Sequence, residues 1–151
     1  MAGAPQPFRY EIESDQQGTT VLRLAGELDM ATSPTLEKAL HELQHRDVRE
    51  IVLDLRGLTF LDSMGLSALM KAHAAGQDGH RKVSFVRGGR SVQRVFAVTK
   101  MDERVEWVDP PVGSSGTDLG GRHPRRVMRG GSRGVVVGTV AQVGGRSSSR
   151  L

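Results

Sequence analysis

The segment LTFLDSMGL, residues 58–66, joins an apolar run to an amphipathic one, with Asp62 and Ser63 side by side at the junction and Gly65 two residues on. Upstream, REIVLDLRGL sends Ile51, Leu53 and Leu55 to one side and Val52 and Asp54 to the other. Alternation with apolar residues on both faces is the pattern of a strand at the centre of a sheet. Downstream, Leu66, Leu69, Met70 and His73 recur at helical spacing, and GQDGH, 76–80, supplies a glycine stop. The segment is therefore a central strand turning directly into a helix through an Asp-Ser pair.

Working outward, the flanking segments complete an alternating pattern. FRYEIE alternates Phe8, Tyr10 and Ile12 with polar neighbours, and TVLRLAGEL puts Leu22, Leu24 and Leu28 on one face. The turn cluster SDQQGT between them predicts a hairpin. After Asp29, Ser33 is the expected N-cap of a helix with Pro34 at its first position, and Leu36, Ala39, Leu40 and Leu43 form its buried stripe. KVSFV is the next strand. GGRS leads into a helix with Ser91 as its expected cap and Val92, Val95 and Phe96 inward, and VEWV, 105–108, is a last short strand. The order ββαβαβαβ predicts an α/β domain over residues 8–109, a partly parallel sheet with helices packed over it.

Charge separates this domain from the rest of the chain. Of the 151 residues, 1–109 hold 14 Lys+Arg and 16 Asp+Glu, whereas 110–151 hold 7 and 1, together with 10 of the 19 glycines. The net charge of +4 thus belongs to the last part of the chain and does not mark the domain as a nucleic-acid binder. Runs such as GGRHPRRVMRGGSRG and GGRSSSRL have no sustained apolar period, so 110–151 is expected to be a disordered tail in which only VVVGTVAQV, 135–143, has strand character. The absence of cysteine excludes disulfides, thiolate catalysis and cysteine-ligated zinc. The lack of a roughly 20-residue apolar run, and a start, MAGAPQPFRY, unlike a signal peptide, set the expectation of a cytoplasmic protein with no membrane segment.

HELQH, residues 41–45, matches the HExxH pattern of zinc hydrolases. At about 100° per residue from Leu36, His41 falls near 140° and His45 near 180°, on the face opposite the apolar stripe. A catalytic zinc needs a third protein ligand and a shielded water, and His73, His80 and His123 lie on other segments. No metal or other cofactor is therefore expected. His73 falls on a core stripe and reads as a packed histidine with its ring nitrogens hydrogen-bonded.

Three roles compete for the Asp-Ser pair. A nucleophile elbow would need GxSxG, but Leu61 stands where its first glycine belongs, and no histidine is marked as the activating base. A helix cap accounts for one polar residue. It does not account for Gly65, which costs about 1 kcal/mol in a helix interior unless something approaches that backbone closely. A phosphorylation site accounts for an exposed serine at a helix start, where about −1.5 to −2 charges would be added. The helix dipole would favour that charge by roughly 0.3–1 kcal/mol. Such a site switches binding rather than folding.

The stretches GELD, 26–29, IVLDLRGLTFLDSMGLSAL, 51–69, and SVQRVFAVTKMDERVEWV, 91–108, together resemble a bacterial anti-sigma factor antagonist, a single STAS domain. The resemblance implies that Ser63 is phosphorylated by an anti-sigma factor that is itself an ATP-dependent serine kinase. By the same resemblance, the unphosphorylated protein binds that anti-sigma factor and frees the sigma factor, a phosphoserine phosphatase resets it, and the chain is not an enzyme and does not bind DNA directly. A STAS module of another kinase–phosphatase stress circuit is the alternative. The resemblance assigns Asp62, Ser63 and Gly65 to the phosphorylation motif and Gly26 and Asp29 to a neighbouring loop. Position 64, often small in the family, is Met64 here, which points to a difference in partner contact.

Overall fold

The computed structural model describes residues 7–111 and 134–138. Its elements run β1 (Arg9–Ser14), β2 (Thr19–Leu28), α1 (Ser33–Gln44), β3 (Glu50–Leu61), α2 (Ser63–Asp78), β4 (Lys82–Val86), α3 (Arg90–Val98), a 3-10 turn at Met101–Glu103, β5 (Glu106–Trp107) and β6 (Gly134–Gly138). The expected order ββαβαβαβ is present, and a six-stranded sheet is ordered β5-β4-β3-β2-β1-β6. β2, β3, β4 and β5 are parallel, while β1 pairs antiparallel with both β2 and β6. β6 overlaps the stretch 135–143 that carries strand character in the sequence. Of the expected disordered tail, 110–151, residues 112–133 and 139–151 lie outside the described residues.

Because the parallel strands step across the sheet in one direction, right-handed crossovers put all three helices on the same face. Leu36, Leu40 and Leu43 of α1, Leu66, Ala68 and Leu69 of α2, and Val92 and Phe96 of α3 share one core with Ile51, Leu53, Leu55, Val83 and Phe85 of the strands. Val21, Val52 and Val86 form a separate cluster on the opposite face. Beside it Asp54, 2 % exposed, is held by the Arg56 guanidinium at 2.7 and 3.0 Å, which supplies the charge-assisted bonds a buried carboxylate requires. Phe85 anchors the far end of the main core, with the Phe96 and Trp107 rings 6.1 and 5.9 Å away in edge-on and tilted geometries.

Several local expectations are corrected. The N-cap of α1 is Thr32, with Ser33 and Pro34 in the first turn. Thr32 Oγ1 does not cap, since it donates to Glu27 O at 2.8 Å and accepts from Asp29 N at 2.9 Å. In α3 the cap is Gly89 rather than Ser91, and the Gly88 N–H donates to Gln93 Oε1 at 2.7 Å. The glycine stop that GQDGH supplies is Gly79, the C-cap of α2, so the segment's other glycine, Gly76, is not at the helix end. It lies inside the helix because a Cβ there would run into the Val83 side chain. His73 is half-buried, and among the described residues its ring meets Phe85, with centroids 6.3 Å apart, instead of a polar partner.

β3 departs most from simple alternation. Its pairing with β2 shifts register between Arg23 and Ala25 and again between Gly26 and Glu27, so that Arg23 faces Asp54 but Glu27 faces Phe60. The extra residues lie on β3 and act as bulges, which bend a strand and re-aim its side chains. Leu58 and Leu61 remain buried while Thr59 and Phe60 turn outward, so the run is not buried throughout.

Tyr10, the only tyrosine in the chain, has its hydroxyl pKa raised above 10.0 by burial and, secondarily, by the Glu42 carboxylate. The unfolded chain then loses this proton first as pH rises. The stability contributed by the neutral phenol is complete below about 10 and is lost as pH climbs through the raised folded value. Tyrosinate absorption is expected to titrate later in the folded protein than in denaturant, Glu42→Gln should narrow the gap, and Tyr10→Phe should flatten the alkaline fall in melting temperature.

Candidate functional site

The site is the junction of β3 and α2 together with the loop leaving β2. Asp62 is the N-cap of α2, with extended backbone (φ −107°, ψ −176°). Its Oδ1 accepts from Gly65 N at 2.8 Å, satisfying one of the free N–H groups of the first turn. Its Oδ2 accepts from Met30 N at 3.2 Å. One carboxylate thus caps the helix and ties it to the β2–α1 loop. Asp62 N in turn donates to Leu28 O at 3.2 Å, and Asp62 O accepts from Leu66 N at 2.9 Å.

The loop has its own organiser. Asp29 Oδ1 accepts from Ala31 N and Thr32 N, both at 3.0 Å, an Asx turn that fixes the path from β2 into α1. Met30, at the tip, is 67 % exposed. The expected cluster is therefore assembled in part: Asp29, Asp62, Ser63, Met64 and Gly65 come from the two segments that meet at the Asp62–Met30 bond.

The two glycines serve the packing beneath the surface. A Cβ on Gly65 would run into Leu28 O and come within 2.9 Å of Leu61 Cδ1. The close approach that this glycine permits is thus one made by the chain's own strand end, not open access to the helix start, and Gly65 is buried. Gly26 lies within β2 opposite Leu58, at φ +90°, where a Cβ would meet Pro7 O. Only a glycine combines that dihedral with that contact.

Ser63 and Met64 lie at the surface as the first two residues of α2, Met64 being 49 % exposed. Phe60, two residues before Asp62, is 45 % exposed. Three large apolar side chains, Met30, Phe60 and Met64, therefore stand at the surface on the segments that meet at Asp62. Met64 stands out in the sequence, whereas Met30 and Phe60 do not. Phe60 is hidden there because register shifts in β3 cannot be read from periodicity. Met30 is hidden because it sits in a loop, where apolar residues carry no period.

His41 and His45 are exposed, away from this site, as the helix wheel of α1 requires. Among the described residues no group of three or more His, Cys, Asp or Glu is placed to hold a metal ion, and no helix is long and apolar enough to cross a membrane.

Two substitutions separate the capping and packing roles. Asp62→Ala should lower stability by about 1–2 kcal/mol, the usual cost of losing a cap, and Asp62→Asn should recover most of it. Gly65→Ala should destabilise despite alanine's helix preference of about 1 kcal/mol, because overpacking against Leu28 O costs about 1–3 kcal/mol. Urea midpoints for the three variants decide both points.

Comparison with known proteins agrees with this geometry. The family model described as "Mlab, STAS domain" matches residues 12–108. The anti-sigma-F factor antagonist RsfB of Mycobacterium tuberculosis is 38% identical over 66 residues, which cover 44% of this chain and 53% of that protein. The anti-sigma F factor antagonist of Paenibacillus polymyxa is 40% identical over 65 residues, 42% of this chain and 56% of that one. The aligned part thus spans about half the length of these relatives. Among solved structures, an anti-sigma factor antagonist from Mycobacterium paratuberculosis superimposes with a TM-score of 0.63 at 27% identity, covering 74% of this chain and 92% of that one. With its strand order, its helices on one sheet face and a family match over most of the folded residues, the chain belongs to the STAS domain family.

Proposed function

We propose that this chain is an anti-sigma factor antagonist, a cytoplasmic binding protein controlled by phosphorylation at Ser63. In this reading the unphosphorylated form binds an anti-sigma factor serine kinase and so releases a sigma factor. Phosphorylation of Ser63 by that kinase ends the binding, and a phosphoserine phosphatase restores it. The chain is a substrate and a partner, not an enzyme.

The observation that carries the reading is exposed Ser63 at the first position of α2, with exposed Met30, Phe60 and Met64 on the segments that meet at Asp62. A partner kinase can reach that hydroxyl without unfolding anything. Asp62 opposes the added charge, but its two oxygens are already held by backbone N–H groups and the helix dipole favours an anion at this end. The fold tolerates the phosphate for these reasons. A partner packed on the three apolar side chains does not, because it would have to desolvate a dianion at the centre of its contact. The relatives named as anti-sigma factor antagonists supply the class of partner.

The test is phosphate transfer and partner capture with the cognate kinase. Wild type should take up one phosphate per chain from ATP, and Ser63→Ala none while still binding. Uptake by Ser63→Ala at the wild-type level would refute the site. Ser63→Asp should weaken binding at least about thirtyfold, equivalent to about 2 kcal/mol for a charge buried without a partner, with an unchanged circular dichroism spectrum. Met64→Ala should weaken binding to the kinase while leaving the urea midpoint in place.

A further inference from the structure

The His41–His45 pair is the part of the molecule that the switch leaves unused. We infer that it is a surface chelate for one divalent transition-metal ion of the zinc, nickel or copper class. The two Nε2 atoms lie 3.4 Å apart, and the rings meet edge-on with centroids 4.9 Å apart and planes at 83°. A tetrahedral ion with metal–nitrogen bonds of about 2.0–2.1 Å needs its two imidazole nitrogens about 3.3–3.4 Å from each other. The pair already has that spacing. As a direct hydrogen bond between the rings, 3.4 Å is long against the usual N–H donor distance of about 2.9–3.0 Å.

The surroundings suit a cation. Both histidines lie at the C-terminal end of α1, His45 being its C-cap with its backbone N–H on Glu42 O at 3.3 Å. That end of a helix carries the negative pole of its dipole. Both rings are exposed, so an ion enters without moving any packed group. Neutral imidazole is a preferred ligand of these metals. Glu42, between the two histidines in sequence, acts on the Tyr10 hydroxyl, and no third metal-ligating side chain completes a cluster among the described residues. Two positions on the ion therefore stay open to water or to a donor from outside, which makes the site an exchangeable docking point rather than a hydrolytic centre. It lies one helix length, roughly 18 Å at 1.5 Å per residue, from the loop beside Ser63. Its occupancy is independent of the phosphorylation reading, and each can fail without the other.

The untagged full-length chain is titrated with nickel chloride by calorimetry. One ion per chain should bind with saturation in the micromolar range. His41→Ala and His45→Ala should each reduce the affinity at least tenfold, while His73→Ala, His123→Ala and Glu42→Gln leave it unchanged. Copper(II) should bind more tightly than nickel and cobalt(II) more weakly. Circular dichroism shows whether the variants keep their helices, as expected for exposed positions. An absence of saturable binding, an isotherm unchanged in both histidine variants, or a loss confined to one of them would overturn the chelate.

Discussion

The carboxylate of Asp62 is shared between two backbone N–H groups, one inside α2 and one in the loop leaving β2, and the arrangement of the site depends on that sharing. Without the bond to Gly65 N, the first turn of α2 would have a free donor over the strand end. Without the bond to Met30 N, the β2–α1 loop would rely on its own Asx turn and on the bonds of Thr32 Oγ1 to Glu27 and Asp29. Gly65 makes the sharing possible by letting the helix settle onto Leu28 O, close enough for one side chain to reach both segments. A negative charge at a helix start, already neutralised in part by two N–H donors, is also a setting in which a second negative charge disturbs the fold little.

The sheet brings the segments of the site together. Parallel strands that step in one direction place every strand-to-helix junction at the same end of the sheet, the end at which open α/β sheets gather their functional loops. β3 is the central parallel strand that leads into the site, and beyond its bulges Thr59 and Phe60 are exposed between the buried Leu58 and Leu61. Phe60 reaches the surface for this reason, beside a helix start that presents Ser63 and Met64. The packing on the helical face and the exposed Phe60 thus come from the same strand, read in two registers.

The order of elements is legible in the sequence because each apolar stripe has one clear period. Ile51, Leu53 and Leu55 against Val52 and Asp54, and Leu36, Ala39, Leu40 and Leu43, fall as the pattern requires. The Asp-Ser junction is legible because a polar pair interrupting two periodic runs stands out. The helix caps are less so. Thr32 and Ser33 are adjacent candidates, and the choice between them is made by bonds from Thr32 to Glu27 and Asp29, which are tertiary facts of the loop. The purpose of Gly65 is obscured for a related reason. A glycine announces a close approach but not what approaches, and here it is the carbonyl of a strand far away in sequence.

The ladder between β3 and β4 ends at Asp54 and Val86, although β3 continues to Leu61. From Leu55 onward the strand keeps only β2 as a ladder partner, and that ladder is interrupted twice. Backbone pairing is therefore graded along a single strand. The first half is hydrogen-bonded on both edges, and the half that delivers the serine is bonded on one. The segment that leads to Ser63 is thus anchored by one neighbouring strand and by Leu55, Leu58 and Leu61 in the core beneath it, whereas the first half is held from both edges.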